Sequence, residues 1–337
     1  MTALRLPPES SWPYLKACFF GLALAIMLAS TGGEASEVGL PLVDTAVRTG
    51  AIGAGAPTAR AASPVTMGVY DPHSMVKGSD DFQIEHVFVA WQAPDKRALD
   101  RKIKGAIRDH RALMISVEPF THAADWRGGG ARLFQDIQDG RFDSEIEWIC
   151  NKGRDIRKPV YMRWGHEMED VDGRYPWARN DPEGYRKAFV YFVSRCRMIL
   201  PDARYVWSPK GHKNLAAYYP GDEFVDIVGI PIWGLEKMDI DYWSRPRRFS
   251  ETVEEKYKRV AQFHKPVMIA ELGVSGSRTY KQGWYTEIFN SPEYKPQFPL
   301  LQTILFFNDK EPYRWPMGYG SPDWRFDPKT LAALIQR

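Results

Sequence analysis

Val160-Tyr161-Met162-Arg163-Trp164-Gly165-His166-Glu167-Met168 decides the architecture of this chain. Its first five residues mix β-branched, aromatic and long apolar side chains and stop at a glycine, which reads as a short buried strand with a charged tip. A second stretch has the same form: Pro266-Val267-Met268-Ile269-Ala270-Glu271-Leu272-Gly273 also carries an apolar run into a glutamate and a glycine. The two glutamates are 104 positions apart, the length of three strand-helix units of about 35 residues each. In a closed ring of eight such units, strands four and seven face each other across the mouth. The C-terminal ends of the strands are where such barrels place their chemistry.

Working outward from these two runs, six more of the same kind appear at 66–70, 85–91, 113–117, 204–207, 227–232 and 303–307. With 160–164 and 267–270 they make eight expected strands. Helical patterns separate them at 95–111, 143–152, 182–199, 251–263 and 283–289, the first with Leu99, Ile103 and Ile107 on one face. Asp181 before Pro182, and Ser250 before Glu251, read as helix N-caps. The pattern predicts an α/β fold, a single (β/α)8 TIM barrel, with a doubly wound open sheet as the alternative. Gly128-Gly129-Gly130 lacks the strand-to-helix setting of a dinucleotide loop, and no cofactor is expected.

The N-terminus has a different character. Arg5 and Lys16 precede an uncharged run at 17–30, followed by small residues around Gly33-Glu34-Ala35. The run is shorter than the ~20 apolar residues a spanning helix needs, so 1–35 reads as a cleaved export signal and the protein as secreted or periplasmic. Residues 36–63 are rich in Ala, Gly and Thr and read as a flexible linker, leaving 64–337 as the folded domain. Forty-five basic against 42 acidic residues give a net charge of +3, no signature of a nucleic-acid binder. Three cysteines exclude a disulfide-dense scaffold. Cys150 and Cys196 fall near the ends of neighbouring expected helices, and the apolar residues beside them favour two buried free thiols over a bridge.

Two facing carboxylates are the equipment of glycoside hydrolysis: one protonates the leaving oxygen while the other attacks the anomeric carbon or activates water. The ordinary alternative is that Glu167 pairs with Arg163 or Lys210 and Glu271 is a rim charge. No His-Glu-x-x-His is present, because position 170 is Asp, and Glu169, Asp170 and Asp172 lack a calcium-loop pattern. No metal site is expected, and the acidic run reads as a solvated loop. The chain holds 12 Trp, 16 Tyr and 17 Phe. Trp91, Trp177, Trp207, Trp233 and Trp315 fall at or just beyond strand ends, where about half of them are expected to stack on sugar rings.

The segment 161–168 resembles the Arg-x-x-His-Glu-Met segment of glycoside hydrolase family 26, the β-mannanase family of the large retaining (β/α)8 clan, and 266–273 is similar to its nucleophile segment. Further similar pieces follow in order: Val117-Glu118-Pro119, Tyr175-Pro176-Trp177, Val206-Trp207-Ser208-Pro209, the run 219–229, and Phe306-Phe307-Asn308. The resemblance spans about residues 66–335. It implies Glu167 as general acid/base and Glu271 as nucleophile. His166, Arg163 and Glu118 are implied as residues around the bound sugar. The implied substrate is a β-linked polysaccharide, β-1,4-mannan first, with β-glucan or β-1,3-xylan as rivals; no stable protein partner is expected. A carbohydrate-binding barrel without catalysis is the reading from another class. Two positions depart from the family pattern. Arg174 stands where a Trp is usual, and Trp233 replaces the strand-six Tyr that hydrogen-bonds the nucleophile.

Overall fold

The computed structural model describes residues 65–122, 132–171, 174–290 and 294–335. The export signal and the linker expected over 1–63, and the glycine run 128–130, lie outside these. Eight strands, β1 (Thr66–Tyr70), β2 (Ile84–Ala90), β3 (Ala112–Glu118), β4 (Val160–Trp164), β5 (Arg204–Trp207), β6 (Ile227–Leu235), β7 (Val267–Ser275) and β8 (Leu301–Phe307), close into a barrel in chain order. Every neighbouring pair is parallel, including β1 with β8. This excludes the open sheet. The helices among the described residues are α1 (Lys96–Arg108), α2 (Leu133–Gln138), α3 (Asp143–Asn151), α4 (Pro182–Ile199), α5 (Glu236–Trp243), α6 (Phe249–Val260), α7 (Arg278–Asn290), α8 (Tyr294–Gln297) and α9 (Pro328–Ile335).

Strand alternation sorts the side chains into two layers. On β4, Val160, Met162 and Trp164 point outward into the helix-facing core, where the Trp164 ring packs on Phe192 at 5.8 Å. Tyr161 joins the inner cluster of Ile84, Met114, Val206, Met268, Ala270 and Leu305 that fills the base of the barrel. Arg163 has the same inward parity, one layer higher.

Helix starts follow local chemistry where a capping side chain is available. Asp181 Oδ1 accepts from Gly184 N at 2.9 Å, with Pro182 in the first turn. The expected cap at Ser250 is wrong: α6 begins at Phe249 after Arg248. Glu251 accepts from Arg248 N, while Glu287 of α7 accepts from Phe249 N and Ser250 N at 3.0 and 3.2 Å. A carboxylate 37 residues away thus satisfies the amides that a local cap would have taken.

The cysteine expectation is also corrected. Cys150 of α3 and Cys196 of α4 are joined by a disulfide, with Cα atoms 5.6 Å apart and 46 positions between them. Both are fully buried where the two helices pack, which places the Cα atoms inside the range a bridge can span. Closing a loop of this length contributes at most about 4 kcal/mol in the chain-entropy model. Cys150→Ser/Cys196→Ser should therefore melt on the order of 10 °C lower. Alkylation of the unreduced, denatured protein should label neither cysteine; two labelled thiols would contradict the bridge.

Candidate active site

Both glutamates sit at the C-terminal mouth of the barrel, and each is aimed by an irregular backbone. On β7 the register against β6 runs Ile230 to Ile269 and then Pro231 to Glu271, so Ala270 is the extra residue of a bulge. By strict alternation Glu271 would face the helices like Ile269. The bulge turns it inward instead, so that Ala270 and Glu271 both serve the interior. Two residues on, Gly273 allows the Trp233 and Trp324 rings to close over the strand: a Cβ there would meet them at 2.5–2.7 Å. At the end of β4, Gly165 and Glu167 both have φ of 54°. The left-handed conformation is free for Gly165 and strained for Glu167. Glu167 is held in it by its own N–H, which donates to Ser208 O at 2.8 Å.

The electrostatics centre on Arg163. Its Nη2 lies 2.7 Å from Glu271 Oε1, and Nη1 donates to Ser116 Oγ at 3.1 Å. Ser116 Oγ is in turn 2.8 Å from His86 Nε2. All four side chains are buried. Burial raises the Glu271 carboxyl above the ordinary carboxylate range; Arg163 opposes, and the charge of Glu167 adds to the rise. Burial and the Arg163 charge hold His86 well below the usual histidine value, so it is neutral at pH 7. The expected pairing of Glu167 with Arg163 or Lys210 is not formed as a contact. Arg163 serves Glu271, and Lys210 pairs with Asp170. Glu271 is buried, not a rim charge.

Around this pair lie His166 and Glu118. His166 Nε2 is 3.3 Å from the Tyr175 hydroxyl and 4.0 Å from Glu118 Oε1. Burial and the charges of Arg163 and Arg174 keep it neutral. Two buried polar atoms here, His166 Nδ1 and Glu167 Oε2, have no hydrogen-bond partner among the described side chains. Such atoms are costly unless something polar binds them. The floor is aromatic: Tyr70 packs on Phe88 at 5.0 Å and on Phe307 at 4.8 Å.

Glu118 is pushed up to about 7, by burial first and by the Glu271 charge second, with Arg163 and Arg174 opposing. A carboxyl raised in the folded state favours folding below its unfolded pKa, and that contribution is lost as pH rises through about 7. Glu118→Gln should then stabilise the protein at pH 8 relative to wild type, by no more than about 3 kcal/mol, and have little effect at pH 4. Thermal melts at both values test this; equal shifts at the two would contradict it.

The tryptophans divide. Trp91, Trp177 and Trp207 are at most 2% exposed. Trp91 stacks on Phe142 at 4.8 Å, Trp177 stacks on Tyr175 at 4.6 Å, and Trp207 packs edge-on against Phe263 at 5.2 Å. None of the three has a free face for a sugar, so the stacking expectation is corrected for them. Trp177 is nonetheless structural to the site, donating from Nε1 to His166 O at 2.6 Å. Trp233 and Trp315 are half-exposed and pack edge to face at 6.2 Å, with Trp324 behind both. The reading of 169–172 as a solvated acidic loop is also overturned at its first two carboxylates: Glu169 is buried and accepts from Gly211 N and His212 N at 2.8 and 3.1 Å, and Asp170 is buried against Lys210. Asp172 lies outside the described residues.

Sequence reasoning missed Glu311, in the loop after β8. It is buried, accepts from Trp324 Nε1 at 3.3 Å, and faces Arg174 Nη2 at 3.6 Å. It also missed Ser116 and His86, whose inward parity on β3 and β2 was the available signal. No group of three or more His, Cys, Asp or Glu able to hold a metal occurs among the described residues.

Residues 139–282 match the family described as Glycosyl hydrolase family 26. Among curated proteins, Endoglucanase H of Acetivibrio thermocellus is 24% identical over 288 residues, 79% of this chain and 29% of that protein. Beta-1,3-xylanase TXYA of a Vibrio species is 26% identical over 144 residues, 41% of this chain and 28% of that one. The chain therefore spans less than a third of the length of these curated relatives. Among solved structures, a Cellulomonas fimi endo-beta-1,4-mannanase double mutant superposes with a TM-score of 0.57 at 15% identity, covering 81% of this chain and 71% of that one.

Proposed function

From the match of residues 139–282 to glycosyl hydrolase family 26 we propose that the chain is a retaining endo-β-glycosidase that cleaves a neutral β-linked polysaccharide. The observation that carries the reading is Glu271, turned inward by a bulge and set on the Arg163 guanidinium, with the charge of Glu167 acting on it.

In the first step a Glu271 oxygen attacks the anomeric carbon as the glycosidic bond breaks, and the leaving oxygen takes its proton from Glu167. Glu271 acts as the carboxylate in this step, with Arg163 Nη2 2.7 Å from its Oε1, and Glu167 acts as the acid. In the second step Glu167, now ionised, removes a proton from water. The resulting oxygen displaces Glu271 from the anomeric carbon, and the original configuration returns. The orphaned His166 Nδ1 is suited to a sugar hydroxyl, and Trp233 and Trp315 to a sugar face.

The motif resemblance makes β-1,4-mannan the first polymer to test. A second reading, β-glucan, is supported by the 288-residue match to a protein named endoglucanase, and β-1,3-xylan by the shorter xylanase match. Incubating the protein with mannan, lichenan and β-1,3-xylan and sizing the products separates these; oligosaccharides of several lengths appearing early mark endo action. Failure to cleave any of the three would refute the substrate class. Export through residues 1–35 belongs to the same proposal. It is supported by the buried disulfide, a bond that persists in oxidising compartments. No helix among the described residues is long and apolar enough to cross a membrane.

A further inference from the structure

We propose that the outer face of α5 is a second sugar-binding platform, continuous with the half-exposed tryptophans of the site, which holds a distal stretch of the same neutral polysaccharide. The juxtaposition that carries it is a line of aromatic rings leaving the mouth on the β6–β8 side. Trp233, near the end of β6, meets Trp315 in the loop after β8. That loop turns back on itself, Trp315 N donating to Gly320 O at 2.6 Å, and so presents Tyr319. Tyr319 lies beside Asp241 and Tyr242 of α5, and Lys237 of α5 lies over its ring at 5.5 Å. The line ends at Tyr242 and Trp243, which are 54% and 43% exposed.

Trp243 is braced. The Arg247 guanidinium lies 3.5 Å from the centre of its ring, and Arg247 is itself fixed by an ion pair at 2.9 Å to Asp239, which is fully buried and also accepts from the Tyr280 hydroxyl. One face of the indole is therefore occupied by a cation, while the residue keeps 43% of its surface exposed. A ring fixed this way loses little freedom when something stacks on it. The polar groups along the line, the Asp241 carboxylate and the Lys237 ammonium, suit equatorial hydroxyls at the edges of a stacked sugar better than they suit an apolar protein surface.

The inference rests on the proposed function for the identity of the polymer, so the test reads binding and cleavage separately. Trp243→Ala and Tyr242→Ala change only exposed positions outside the catalytic machinery. In a retaining endo-β-glycosidase, each should lower kcat/KM on the cleaved polysaccharide about tenfold and leave kcat/KM on a short aryl oligosaccharide within twofold. Unchanged polysaccharide kinetics, or equal losses on both substrates, would overturn the platform. If the protein cleaves no polymer, the functional reading fails, and the platform is judged by affinity electrophoresis in gels containing mannan, lichenan or β-1,3-xylan. Retardation of Glu271→Gln that is lost in Glu271→Gln/Trp243→Ala supports it; no retardation, or retardation that both proteins share, overturns it.

Discussion

Replacing Glu271 by alanine is expected to lower kcat on the polysaccharide by about 10⁴-fold or more, because the first covalent bond of the reaction forms to this carboxylate. Its placement depends on several features at once. The bulge at Ala270 turns the side chain inward, Arg163 contacts Oε1, and the rings over Gly273 cover the strand beyond it. Removing the carboxylate also leaves Arg163 as a buried cation without its partner, so some stability is lost with the activity. Glu271→Gln keeps the volume and a carbonyl oxygen toward Arg163. It should be equally inactive with a smaller fall in melting temperature. Activity above about a hundredth of wild type in a variant that still melts cooperatively would remove Glu271 from the nucleophile role. In the active enzyme the ionised form of Glu271 is required, so kcat/KM falls as pH drops through its pKa. Burial places that limb above the ordinary carboxylate range.

The second large effect is expected at Glu167. Glu167→Ala should cut polysaccharide hydrolysis by about 10³-fold, since a sugar leaving group needs its proton. An aryl glycoside with a good leaving group does not, so its first step should continue and the glycosyl-enzyme should accumulate. Azide, which needs no general base, should then restore turnover and yield a β-glycosyl azide. Glu167→Gly should show the same rescue and fold at least as well as Glu167→Ala, because φ of 54° suits glycine and strains alanine. No azide acceleration in either variant, or an α-configured azide product, would contradict the acid/base assignment.

Much of this was legible along the chain because barrel strands are short, apolar and punctuated. The runs at 160–164 and 204–207 coincide with β4 and β5. Strands β6 and β7 run three and five residues past their expected ends. Gly234, Gly273 and the charge of Glu271 resemble stop signals, but continued pairing of the two strands across the bulge overrides them. Both glutamates stood out because each interrupts an apolar run. What escaped the sequence was set by distant partners: Glu287 capping α6, Ser116 and His86 beneath Arg163, and the approach of Cys150 to Cys196. The tryptophans show the limit of composition. Trp164 and Trp207 share the outward parity of the helix-facing core, and parity rather than proximity to a strand end decides which rings are buried.

The account turns on a double displacement between Glu167 and Glu271, and the anomeric configuration of the first product reports it directly. Proton NMR of a polysaccharide digest, recorded before mutarotation equilibrates the new reducing end, should show the β-anomer first and the α-anomer growing in later. A digest in which the α-anomer appears first would mean a single displacement by water and would contradict the mechanism.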